Sequence, residues 1–127
     1  MQILTHSLLV GAGGFAGALA RYWLAGFIAA RSGGNFPWGI LAVNVIGSFL
    51  MALLLAYLPE KFGPSETVRL LVSVGFMGSF TTFSTFSVDS YGLLTGGEPG
   101  RAILNIGLNV VLGLLAVWAA FAIARPA

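Results

Sequence analysis

The chain has 127 residues, 57% of them hydrophobic and 8% charged, whereas soluble domains carry about 45–50% apolar and about 25% charged residues. Six Lys and Arg against four Asp and Glu give a formal charge of +2 on very few groups, which excludes the basic patch of a nucleic-acid binder. With no Cys and a single histidine, His6, disulfides, thiol chemistry and His- or Cys-based metal centres are excluded too.

Four apolar stretches, near residues 3–30, 38–58, 67–94 and 102–124, each reach the ~20 residues a helix needs to cross the hydrocarbon. They predict an all-α membrane protein, with residues 1–127 forming one integral membrane domain. A membrane sheet would need short alternating segments closed into a barrel, and these runs do not alternate. Turn residues and most of the charge fall between them, at 31–37, 59–66 and 96–101. Such short connections make neighbouring helices antiparallel.

In the first stretch Ala18-Leu19-Ala20 looks like a leader-cleavage site, but residues 1–10 carry no Lys or Arg. The apolar pattern also continues through Trp23, Leu24, Phe27 and Ile28, so a retained helix is expected. Gly13 and Gly17, four apart, make a smooth face for close helix packing. Arg21 would lie about 14 Å into a regular helix from the loop at Arg31. It must snorkel, pair with a carboxylate or face water, and a fixed positive charge in a vestibule favours anions.

The second stretch holds one mid-span amide, Asn44, followed by Gly47 and Ser48; a lone transmembrane Asn commonly joins helices. The third is more specific. Between Ser79 and Ser87, six hydroxyl residues and three Phe fill nine positions, after Gly75 and Gly78. Hydroxyls that bond back to helix carbonyls weaken or bend a helix, which predicts a break near the middle of the span. Broken backbone at this depth must be buried in protein or line a cavity. Phe83 and Phe86 share a helical face, where their positive ring edges suit an anion and their faces a cation; packing explains them as well. In the fourth stretch Asn105 and Asn109, one turn apart with Gly113 continuing the face, are either a polar stripe or packing residues.

Lys and Arg near helix ends choose the cytoplasmic side. Lys61, Arg69 and Arg125 fall on the side of the termini, and Arg31 and Arg101 on the other, joined by Arg21 if it snorkels there. That near balance is compatible with one orientation or with insertion both ways, which would allow an antiparallel dimer.

The run Gly75-Phe76-Met77-Gly78-Ser79-Phe80-Thr81-Thr82-Phe83-Ser84-Thr85-Phe86-Ser87 resembles the third-helix signature of the Fluc/CrcB fluoride channels. Gly17-Ala18-Leu19-Ala20-Arg21 and Pro37-Trp38-Gly39-Ile40-Leu41-Ala42-Val43-Asn44 resemble that family's elements in the first and second helices. The resemblance implies a multi-pass protein of the bacterial plasma (inner) membrane that exports fluoride passively and lowers its toxicity, built as an antiparallel, dual-topology homodimer with two pores. By position it implies Phe83, Phe86 and Asn44 as pore residues and Arg21 as a vestibule arginine. It further implies that the Gly78 and Thr81 carbonyls hold a structural sodium ion on the dimer axis. Thr82, Ser84 and Thr85 fall in the motif's polar region, and Asn105 and Asn109 in its fourth-helix polar track.

Five positions depart from the family pattern. Ser79 replaces a common second Gly, Ile40 a Thr, Asp89 a Glu one methylene longer, and Asn105 and Asn109 stand where Tyr and Ser are frequent. The rival class, a small four-helix multidrug exporter, resembles the chain in size but relies on a first-helix Glu, and this first helix has no carboxylate. An enzyme is not expected, because Ser84 and Ser87 have no base or metal partner.

Overall fold

The computed structural model describes residues 1–124, and all their regular structure is helical. Four helical spans are long and apolar enough to cross a membrane. Helix α1 (Gln2–Ser32) ends at Gly33, whose φ of 65° suits a residue without a side chain. Helix α2 (Trp38–Phe62) runs through Pro59 and stops at Gly63, φ 68°. The sequence places that end at Leu58, because proline usually breaks helices; in a last turn Pro59 removes a single ladder bond, so the glycine is the stop. The last helix, α5 (Pro99–Ala124), likewise starts earlier than residue 102. Pro99 occupies a first helical position, where no N–H is required.

The third span is two helical stretches separated by a break. Residues 66–80, here α3, start under a cap in which the Ser65 hydroxyl accepts from the Val68 amide at 3.3 Å. Arg69–Met77 then widens into π geometry, and Gly78–Phe80 returns to α geometry. Thr81 (φ −90°, ψ 157°) and Thr82 (φ −149°, ψ 123°) are extended. Helix α4 (Phe83–Thr95) restarts immediately, its first turn capped by the Thr82 hydroxyl, which accepts from the Thr85 amide at 3.3 Å. The expected mid-span break is therefore present. The π turn was not foreseen, and it is centred where α1 crosses α3.

That crossing explains the glycines. A Cβ on Gly13 would sit 1.9 Å from the Leu71 carbonyl oxygen, and one on Gly17 2.1 Å from that of Phe76. Gly75 faces back with as little room, 2.7 Å from the Val10 oxygen. Small residues thus bring the two backbones into contact, the packing expected of that face. Gly39 does the same between α2 and α1, where a Cβ would lie 2.3 Å from the Ala25 oxygen. Val43, Met77 and Phe80 form a buried cluster beside the break, with Phe76 stacked on Phe80 at 5.9 Å between ring centroids.

The loops confirm antiparallel neighbours. Asn35 of the first loop donates to Glu98 and accepts from Arg101 of the third, so these two loops share one end of the bundle. Arg69 pairs with Glu66 through two bonds of 2.9 and 2.8 Å within one turn near the opposite end.

Candidate ion pathway at the broken helix

Extended residues inside a membrane span leave backbone groups without their helical partners, and in hydrocarbon each orphan costs several kcal/mol. At Thr81 and Thr82 two neighbouring helices supply partners for these groups. Asn44 of α2 brackets Thr82, its Oδ1 accepting from the Thr82 amide at 2.9 Å and its Nδ2 donating to the Thr82 carbonyl at 3.1 Å. One side-chain amide thereby replaces both helical hydrogen bonds of that residue. Arg21 of α1 donates from Nε to the Ser79 carbonyl at 3.0 Å. Thr81 turns its own hydroxyl back to the Met77 carbonyl at 3.2 Å.

Arg21 is therefore tied through its Nε to a freed carbonyl of the broken span, and among the described residues no carboxylate pairs with it. Of the other cations, Lys61 and Arg69 lie at one end and Arg31 and Arg101 at the other, while Arg125 lies outside the described residues.

A cavity of about 430 Å³ opens beside the break, lined among others by Asn44, Gly78, Thr81, Thr82, Phe83, Phe86 and Asn109. Most of the sequence-selected residues thus converge on one wall. Phe83 and Phe86 stand with ring centroids 5.5 Å apart and planes tilted by 56°. Their environments differ: Phe86 is 9% exposed and Phe83 77%. Ser84 and Thr85 do not line this cavity, nor does Arg21. The Thr85 hydroxyl instead accepts from that of Thr82 at 3.2 Å, so both threonines serve the cap of α4. Phe80, which directly precedes Thr81 and Thr82 in sequence, belongs to the buried cluster rather than the cavity.

The polar lining extends further than its individual residues suggest. Asn44 Nδ2 donates to Asn109 Oδ1 at 2.9 Å, and Asn109 Nδ2 to Asn105 Oδ1 at 3.0 Å. Asn105 Nδ2 then donates to the Ser90 hydroxyl at 2.9 Å. The two fourth-span asparagines form a polar stripe, joined to α2 at one end and α4 at the other. Ser90 is the member that sequence reading missed. It lies four residues after Phe86, on the same helical face, which was the available signal. Asp89 points elsewhere, lining a separate cavity with Asn35 and Glu98 near the loop end.

Chemically, this site offers amide and hydroxyl groups, aromatic rings and approachable backbone in a wall otherwise made of apolar side chains. It holds no nucleophile paired with a base. These are the components of a permeation path, which replaces water around an ion without forming bonds to it.

Sequence comparison agrees. Residues 8–121 match the family model described as CrcB-like protein, Camphor Resistance (CrcB). The chain is 46% identical over 111 residues to a protein of Hydrogenovibrio crunogenus named fluoride-specific ion channel FluC, covering 87% of this chain and 84% of that one. Proteins of the same name from Geobacter sulfurreducens and Rhizobium meliloti are 44% and 42% identical over 122 residues, each alignment covering 96% of this chain and 98% of the relative. With four membrane-spanning helices, a broken third span and matches along nearly its whole length, the chain belongs to the CrcB family.

Proposed function

We propose that the chain is a fluoride-selective channel that lets the ion leave the cell down its electrochemical gradient, and so lowers cytoplasmic fluoride toxicity. The observation that carries this reading is the break in the third span, where the Asn44 amide, Phe83 and Phe86 meet at one cavity. Family membership and the names of the relatives support it. Fluoride is small and strongly hydrated, so a low-dielectric path must replace its water with donors and positive ring edges. Here the asparagine chain and Phe83 with Phe86 supply those groups. The wall carries no membrane-embedded carboxylate for proton coupling, which favours downhill, electrogenic flux over the multidrug exporter.

In liposomes under a valinomycin-clamped potential, the purified protein should release fluoride and retain chloride. Dye uptake driven by protons, with no fluoride leak, would restore the exporter.

The working unit in this reading is an antiparallel, dual-topology homodimer in the bacterial plasma membrane. Two observations support it. Among the described residues the two ends carry two cations each, Lys61 and Arg69 against Arg31 and Arg101, and Phe83 is 77% exposed on the open side of the cavity, where a second copy would cover it. The Gly78 and Thr81 carbonyls are the groups that would hold a structural sodium ion between the copies. They suit it: both residues line the cavity, a Cβ at Gly78 would approach nothing closer than 4.0 Å, and backbone carbonyl oxygens are hard donors. A cation bound there would add a fixed positive charge beside the path.

C-terminal tags should be found on both sides of the membrane in similar amounts, and adding Lys to one loop should bias them. Replacing sodium by a bulky organic cation should lower the melting temperature of the purified dimer. Uniform orientation in a conducting protein would remove the antiparallel arrangement.

A further inference from the structure

We propose that Ser90 and Asn105 are positioning residues for the ion path, fixing through one directed chain of hydrogen bonds which atoms Asn109 and Asn44 present at the break. The inference rests on the fluoride-channel reading, since it concerns how that path is held. Neither residue lines the cavity beside the break: Asn105 is 1% exposed and Ser90 6%. Their effect on permeation must therefore pass through other side chains.

The direction of the chain follows from its two ends. The Ser90 hydroxyl has one hydrogen, and it goes to the Phe86 carbonyl at 2.8 Å. Ser90 can then only accept, so Asn105 must offer its NH2 and turn its Oδ1 to Asn109. Asn109 must in turn offer its NH2 to Asn105 and its Oδ1 to Asn44. Asn44 is left with Oδ1 towards the Thr82 amide, which as a backbone N–H can only donate. Both ends demand the same polarity, and both are backbone of the broken span, Thr82 and Phe86. An amide flip at any member would set two donors or two oxygens against each other at both neighbours.

The consequence lies in what is left for an ion. Both Nδ2 hydrogens of Asn44 are engaged, with the Thr82 carbonyl and Asn109, and both of Asn109 with Asn105. An anion that approaches Asn44 or Asn109 must share one of these engaged hydrogens in a three-centre bond, so the donor it meets is held in place rather than free to rotate. Such preorganised donors cost no reorientation when charge arrives. Without the Ser90 acceptor, Asn105 can flip and the polarity of the chain is no longer determined from that end.

The test is fluoride efflux from liposomes for Ser90→Ala, Ser90→Cys and Ser90→Thr, with Ser87→Ala as control. Ser87 makes the same kind of bond to its own helix, to the Phe83 carbonyl at 2.9 Å, but stands outside the chain. Ser90→Ala should lower fluoride flux about tenfold, the scale of one buried donor left unpaired. Ser90→Thr, which keeps the hydroxyl, should restore most of it, and Ser87→Ala should conduct like the wild type. Asn109→Ala should lose no more flux when Ser90→Ala is added, because the chain is already cut between Ser90 and Asn44. Unchanged flux in Ser90→Ala, or full additivity with Asn109→Ala, would overturn the proposal. If Ser90→Ala does not yield folded protein, Ser90→Cys decides, since it keeps the volume and weakens the acceptor: reduced flux supports the proposal and undiminished flux overturns it. A wild type that moves no fluoride would instead remove the channel reading itself, so the two failures are distinct.

Discussion

Phe83→Ile and Phe86→Ile should each lower fluoride flux about thirtyfold while the protein still elutes as an intact assembly. The magnitude follows from the ring quadrupole, whose attraction for a desolvated ion is worth about 2 kcal/mol for a cation on the face and is taken as equal for an anion at the edge; 1.4 kcal/mol is a factor of ten. Isoleucine keeps an apolar side chain in place and removes the edge. If the rings only fill space, the same exchange should cost under about 1.5 kcal/mol of stability and leave flux intact in whatever folds. Phe80 separates the two cases. It is 4% exposed in the cluster with Val43 and Met77 and does not line the cavity. Phe80→Ile should therefore lower the melting temperature more than Phe83→Ile does, yet retain more flux per folded protein. Equal flux in all three variants would place the path elsewhere.

The second large effect is expected where α1 crosses α3. Gly13→Ala and Gly17→Ala add one methyl each, but the atoms it meets, at 1.9 and 2.1 Å, are backbone carbonyl oxygens that no rotamer change can move. The helices must separate, which strains the π turn and pulls Arg21 away from the Ser79 carbonyl. Each variant should lose about 3 kcal/mol or more, at the upper end of overpacking costs, read as a fall in melting temperature and in monodisperse yield. Two neighbouring glycines supply the contrast. Gly14→Ala meets the Ser79 hydroxyl at 3.0 Å, a side-chain atom that can turn aside, and Gly11→Ala meets nothing within 4 Å. Gly14→Ala should be mild, and Gly11→Ala neutral or stabilising, because alanine is the better helix former. If all four variants behaved alike, the glycines would matter for helix propensity and not for contact.

Much of this architecture is determined by the sequence alone, for a reason specific to the bilayer. Lipid leaves an unpaired backbone group no partner, so four long apolar runs can only be helices, and their short polar connections only antiparallel. The break follows from the same rule read in reverse. Hydroxyls dense enough to compete for helix carbonyls, next to glycines, mark where the ladder fails, and the one mid-span amide of α2, Asn44, is the group that repairs it. The Gly13 and Gly17 pair is legible too, because small residues four apart have one common use in a membrane.

What only the tertiary structure decided is which polar group meets which. Arg21 reaches a carbonyl 58 positions away, and Asn44 reaches Thr82 and Asn109 across 38 and 65. Each of these side chains had several chemically adequate partners, and geometry chose among them. The π turn arises for the same reason, since it lies where α1 crosses α3 and no local residue pattern demands it. Ser90 reads as an ordinary helix serine until Asn105 is placed against it. Hydrophobic length is a property of a segment and survives in one dimension; the polarity of a hydrogen-bond chain belongs to three helices at once.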